Sequence, residues 1–277
     1  MTTLHSKKHS SVARRLFLGL ALFAMLTAAG CGSSNAQGVT TPNRGSASAP
    51  SVVLVHGAWA DGSSWAKVIE LLQKRGHKVV SVQLPRATLA GDAAAVRRAI
   101  ESEPDRVILA GHSYGGVVIT EAGNSPKVAG LVYVSAFAPG DGESIFDLVK
   151  PYPPGEWQKG LVPDSAGYLG MNAETFRAYF AQDLPAKQSA VLAATQGPIF
   201  NHVLEDKVTV AAWKSKPSWW AVTGADKIVP AAFQQGQAAR IKAKVTVIPG
   251  ASHAGLLSRP EAIAAVILDA LGSISKP

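Results

Sequence analysis

Val107-Ile-Leu-Ala-Gly-His-Ser-Tyr-Gly-Gly116 is an apolar run that ends abruptly on a serine fenced by glycines. Within it, Gly111-His112-Ser113-Tyr114-Gly115 matches G-x-S-x-G. That pattern encodes a sharp strand-to-helix turn. The serine takes a strained backbone conformation, and glycines two residues to either side avoid the clash a side chain would cause. The residues before Ser113 are β-prone and those from Val117 to Ala122 can continue as a helix, so the turn has the context it requires. Ser113 is therefore the candidate nucleophile, presented where a strand ends and a helix begins.

Working outward, short apolar runs alternate with helical patterns. Val52–Val55 reads as a strand, Ser64–Lys74 as a helix, Lys78–Val82 as a strand and Asp92–Ile100 as a helix capped at Gly91 or Asp92. Arg106–Ala110 is the third strand and Val128–Val134 the fourth. This alternation predicts an α/β fold, a mostly parallel sheet with helices on both faces. It breaks between about 139 and 217, where six prolines accompany helical stretches at Asn172–Gln182 and Ala186–Thr195. That segment is expected to be an inserted helical cap over the strand ends. Ser218–Thr223, Pro230–Ile241, Lys244–Ile248 and Glu261–Leu271 then resume the strand-helix pattern, giving one domain over residues 51–273.

A serine hydroxyl needs a base to take its proton, and the base needs an acid to hold its tautomer. His253 follows the last strand in Pro249-Gly-Ala-Ser-His253, and Asp226 follows the preceding strand in Thr223-Gly-Ala-Asp226. Asp141, after the fourth strand, is the rival acid. His56 and His112 read as packed structural histidines, and His202 as a surface residue of the cap. Negative charge on a reacting carbonyl oxygen calls for backbone N–H donors. Tyr114, next after the serine, and Ala58, in the loop after the first strand, are the candidates. Trp59, Trp157, Phe176 and Trp213, with Tyr179 and Phe180, are candidates for lining an apolar substrate pocket, or equally for forming the cap's own core.

The beginning of the chain reads as an export signal over residues 1–31. A basic stretch with Arg14-Arg15 leads into an apolar run from Leu16 to Leu26 and then Ala28-Ala-Gly-Cys31, which has the form of a lipobox. Lipidation of Cys31 would anchor the exported protein to a membrane. Cleavage after Ala36 would leave it free in the periplasm or outside the cell. Cys31 is the only cysteine, so it forms no internal disulfide. Residues 32–50, rich in Ser, Ala, Thr, Gly and Pro, read as a flexible linker. Four of the 27 basic residues and none of the 19 acidic ones lie in the first 30 positions, so the remainder carries only about +4. With basic residues scattered rather than striped, nucleic-acid binding is not expected. No cofactor or metal is expected, and a homodimer is left open.

His56-Gly-Ala-Trp59, Gly76-His-Lys-Val79, Gly111–Gly116, Asp226-Lys-Ile-Val-Pro230 and Gly250-Ala-Ser-His253 together resemble the α/β-hydrolase superfamily. Within it the chain looks most like the branch of plant methyl-ester esterases and hydroxynitrile lyases and their bacterial esterase relatives. The chain order Ser113, Asp226, His253 is the order that superfamily uses. The resemblance implies a serine carboxylic-ester hydrolase acting through an acyl-enzyme on small or aromatic esters. It also implies that the lyases of this branch carry a threonine after the strand-end histidine and a lysine after the triad histidine. Those positions are Gly57 and Ala254 here. A non-hydrolytic enzyme using the same triad, or a binding protein that has kept only the fold, are the alternatives. Ser113 in place of an aspartate argues against dehalogenase or epoxide hydrolase chemistry.

Overall fold

Four strands without polar/apolar alternation set the architecture: a strand that must be covered on both faces is apolar throughout. The computed structural model describes residues 50–274. In it β1 (Ser51–Val55) is buried at every position. It is followed by a 3-10 turn (Gly62–Trp65), α1 (Ala66–Lys74), β2 (Val79–Val82) and α2 (Leu89–Ser102). Then come β3 (Val107–His112), α3 (Tyr114–Ala122) and β4 (Val128–Val134), all three buried at every position.

After the cap, β8 (Ser218–Thr223), α7 (Ala231–Arg240), β9 (Lys244–Ile248), α8 (Gly255–Ser258) and α9 (Pro260–Ile274) complete the domain. The six long strands pair in the order β2-β1-β3-β4-β8-β9, every pair parallel. Helices α1 and α9 pack together, as do α2 and α3. The order reverses between β1 and β3, so the loops leaving these two strands diverge at the point where open α/β sheets hold ligands. Ser113 and the Ala58 loop stand there. At the outer edge, β9 exposes Lys244 through Val247 and buries Ile248.

Helix α2 departs from the expected start. Thr88, extended at φ −153°, caps it by accepting from Gly91 N–H. Asp92, the expected cap, is instead fully buried and points at Tyr114.

Between β4 and β8 lie α4 (Ile145–Val149), β5 (Leu161–Pro163), β6 (Tyr168–Met171) and α5 (Ala173–Thr175), which runs on into a π turn at Phe176–Phe180. They are followed by α6 (Ala186–Thr195) and β7 (Ile199–Phe200). The helical stretches lie where the sequence placed them, but the cap is not helical alone. It also carries an antiparallel sheet in the order β5-β6-β7. Strands of two to four residues are too short to show a period of two, so hydropathy could not reveal them. The β5–β6 turn is closed by Asp164 Oδ1, which accepts from Ala166 and Tyr168 N–H at 2.8 Å, and by Gly167 at φ 85°. Among the described residues, no helix is long and apolar enough to cross a membrane. The export signal, Cys31 and residues 32–49 of the linker lie outside the described residues.

Candidate active site

Ser113 sits at φ 54°, ψ −122°, at the end of β3 and the N-terminus of α3. Such a conformation costs about 1–3 kcal/mol for a non-glycine residue and persists because its surroundings enforce it. The flanking glycines show how tightly they do so. A Cβ on Gly111 would overlap the Gly115 carbonyl, and one on Gly115 would meet Val55 O at 2.5 Å and His56 O at 2.8 Å. Ser113 N–H donates to Val134 O at 3.0 Å and Ser113 O accepts from Gly116 N–H at 2.9 Å.

His253 and Asp226 come from the loops after β9 and β8. Asp226 Oδ2 accepts from His253 Nδ1 at 2.8 Å, from Thr223 Oγ1 at 3.0 Å and from Gln234 Nε2 at 3.1 Å. Its Oδ1 accepts from the N–H groups of Ile228 and Val229, both at 2.8 Å. All five contacts donate to this carboxylate, so His253 carries its proton on Nδ1 and leaves Nε2 as the basic nitrogen. Nε2 is buried with no hydrogen-bond partner among the described residues. The Ser113 hydroxyl is therefore not yet bonded to it, a looseness usual in enzymes without substrate.

Gln234 and Thr223 were not singled out from the sequence. Gln234, fully buried on α7, also donates to Thr223 Oγ1 and Val229 O and accepts from Thr223 N–H. Ser135 Oγ, at 2.8 Å, extends the chain to Thr223. A glutamine buried among the alanines of α7 is the only signal, and it is visible only once the helix face is known. Asp141 does not join the site: it accepts from Lys214 Nζ and Ala211 N–H, both at 2.7 Å, at the foot of the cap.

The backbone N–H groups of Ala58 and Tyr114 have no acceptor among the described residues. Trp59, left-handed at φ 55°, holds the Ala58 loop by donating its indole N–H to Leu169 O of the cap at 2.8 Å. Under the loop, His56 donates from Nδ1 to Gly57 O at 2.8 Å and accepts from Leu84 N–H on Nε2 at 3.0 Å. Burial lowers its pKa from the ordinary 6.5 to about 4. His112 bonds His253 O through Nε2 at 2.9 Å, and burial holds its pKa well below the ordinary value. His202 is exposed in the cap, as expected.

The His56 shift carries a sign. The folded protein binds this proton less readily than the unfolded chain, so His56 supports folding fully above pH 6.5. That support drains as the pH falls from 6.5 toward about 4. It amounts to about 3 kcal/mol. Thermal unfolding should shift to lower temperature between about pH 7 and about pH 4.5, less so in His56→Gln. Equal pH slopes in the two proteins would remove His56 as the cause.

A cavity of about 30 Å³ lies beside the triad. Trp59, Phe176, Phe180, His112, Leu192 and Leu256 are among its walls, whereas Ser113 and His253 are not. Of the expected pocket aromatics, Trp59, Phe176 and Phe180 reach it and Trp157, Trp213 and Tyr179 do not. Trp157 meets Trp59 edge to face at 5.7 Å. Trp213 donates its indole N–H to Pro139 O and lies under Arg240. The cap grips the loops that carry Asp226 and His253: Phe180 O accepts from Ala254 N–H at 3.0 Å, Asp183 Oδ2 from Ser252 N–H at 2.9 Å, and Gln182 Nε2 donates to Ala225 O at 2.7 Å. Ser113 is only 5% exposed and His253 not at all.

The pattern of the alpha/beta hydrolase family matches residues 52–266. Among curated proteins, the "Carbendazim hydrolyzing esterase" of Nocardioides sp. (strain SG-4G) is 39% identical over 133 residues, covering 43% of this chain and 52% of that esterase. The chain thus matches about half the length of that relative. "Methylesterase 7" and the "Alpha-hydroxynitrile lyase" of Arabidopsis thaliana are each 26% identical, covering 78% and 80% of this chain and 94% and 96% of their own. Among solved structures, polyneuridine aldehyde esterase superposes with a TM-score of 0.71 at 23% identity, covering 80% of this chain and 99% of that one.

Proposed function

The chain belongs to the alpha/beta hydrolase family, and from that premise we propose that it is a serine carboxylic-ester hydrolase working through an acyl-enzyme on small or aromatic esters. Ser113 Oγ attacks the ester carbonyl while His253 Nε2 takes its proton, and Asp226 holds the imidazole in the competent tautomer. The Ala58 and Tyr114 amides stabilise the oxyanion. His253 then protonates the departing alcohol, and water, activated by the same nitrogen, releases the acid. The observation that carries this reading is the five-fold bonded Asp226 holding His253 by Nδ1 and leaving its buried Nε2 without a partner among the described residues, in a fold that also presents a strained Ser113 at a helix N-terminus. The esterase names among the relatives support the reaction class.

The lyase alternative is disfavoured by two positions. A side chain at Gly57 would bring its Cβ within 2.8 Å of Ser113 Cβ and 3.0 Å of His112 Nδ1, so a threonine does not fit without a shift. Ala254 is fully buried beneath Phe180 and supplies no positive group for departing cyanide. Assays with p-nitrophenyl acetate, methyl benzoate and mandelonitrile separate the classes. Ester cleavage without mandelonitrile cleavage is the expected result. The reverse would make it a lyase, and silence on all three would leave a binding protein.

Export rests on residues 1–36 alone. Cys31 becomes the lipidated first residue, and multiple acylation anchors the domain to a membrane. Mass spectrometry of the mature N-terminus should find acylated Cys31. An unmodified terminus at Gln37 would instead give a free exported protein.

A further inference from the structure

The segment from Leu84 to Thr88, between β2 and α2, bonds the loop that carries Ala58, reaches the Tyr114 side chain through Asp92, and touches the cap. Leu84 N–H donates to His56 at the root of the Ala58 loop. Arg86, left-handed at φ 58°, donates its backbone N–H to Asp92 Oδ1 at 2.7 Å, and Asp92 Oδ2 accepts the Tyr114 hydroxyl at 2.6 Å. The Arg86 guanidinium donates from Nη1 to Ala60 O, two residues beyond Ala58. On its other side stands the cap. Arg86 O accepts from Phe200 N–H of β7 at 3.0 Å, and the guanidinium lies so close to Gly197 that any Cβ there would overlap it.

This is an expensive way to hold a loop. Among the described residues, Nε of Arg86 is buried without a partner and the guanidinium forms no ion pair within 4 Å, Asp92 and Asp61 acting only through their charge. Arg86 is part-buried, and a cation that gives up part of its water for one carbonyl partner is incompletely compensated, so the arrangement leans on the cap residues that cover it.

We propose that Arg86 is a positioning residue that couples cap seating to the oxyanion hole: it fixes the Ala58 loop, through Ala60, only while β7 and Gly197 are packed on it. The inference rests on the ester-hydrolase reading for its kinetic consequence but not for its structural one. Hydrolytic competence then exists in the closed state, and an open cap admits ester without activating it.

The test uses Arg86→Ala, Arg86→Lys, Gly197→Ala and the Arg86→Ala/Gly197→Ala double variant. Arg86→Ala should lower kcat on p-nitrophenyl acetate about 10-fold or more with KM changed by less than about 2-fold. It should also weaken a trifluoromethyl ketone, which mimics the oxyanion, by a similar factor. Arg86→Lys should recover part of the loss. Gly197→Ala should reproduce the loss in the wild type and add nothing to Arg86→Ala. Amide hydrogen exchange across residues 57–62 should quicken in both single variants, with no substrate present. Unchanged exchange there, or an equal Gly197→Ala penalty in both backgrounds, overturns the coupling. A wild type inert on esters whose exchange still responds as stated would end the hydrolase reading and leave the coupling standing.

Discussion

Ser113→Ala is expected to lower kcat for ester hydrolysis by about 10⁵- to 10⁶-fold, and His253→Ala by a similar factor. The two act as one unit, since the hydroxyl is a nucleophile only when Nε2 takes its proton. The double variant should therefore be little worse than either single one. Thermal stability should stay near wild type in Ser113→Ala, because the hydroxyl makes no hydrogen bond among the described residues and alanine accepts the same backbone strain. Stopped assays of the three variants with a chromatographic readout decide the matter. Multiplying losses would mean that Ser113 and His253 serve separate steps, and full activity in Ser113→Ala would end the serine mechanism.

The second large effect belongs to Asp226→Asn. The Ile228 and Val229 amides hold the oxygen of the new side chain at the Oδ1 position, so its NH₂ replaces Oδ2. That NH₂ then faces His253 Nδ1, Thr223 Oγ1 and Gln234 Nε2, all of which donate in the wild type. His253 can satisfy it only by turning Nδ1 into an acceptor, which puts the ring proton on Nε2 and removes the base. A loss of about 10⁴-fold in kcat is expected, as for an imidazole locked in the wrong tautomer. Asp141→Asn should change kcat by less than about 3-fold, since it removes one exposed contact with Lys214. A large loss in Asp141→Asn with an active Asp226→Asn would exchange their roles.

What could be read from the chain was whatever sterics dictate locally. Gly111 and Gly115 announce the turn at Ser113 because no side chain fits at either, and buried parallel strands announce themselves by lacking alternation. Asp226 and His253 were legible because loops after strands of one parallel sheet must meet at one end of it. Residues whose meaning comes from a distant partner were not legible. Gln234 is an ordinary helix residue until Asp226 is beside it. Arg86 is an ordinary loop cation until Ala60 and Gly197 close around it. Aromatic identity likewise does not say which way a ring faces: Trp213 binds Pro139 at the cap's foot, and Trp157 braces Trp59, although both looked as ready for a pocket as Phe176 did. The small cap sheet escaped notice because its strands are shorter than the period that would betray them.

Rapid quenching of the protein with p-nitrophenyl acetate, followed by mass spectrometry of its peptides, tests the acyl-enzyme directly. The mechanism predicts one acetyl group, on Ser113, formed before steady-state turnover and absent in Ser113→Ala. Ester turnover with no acyl group on Ser113, or with the acyl group on another residue, would contradict it.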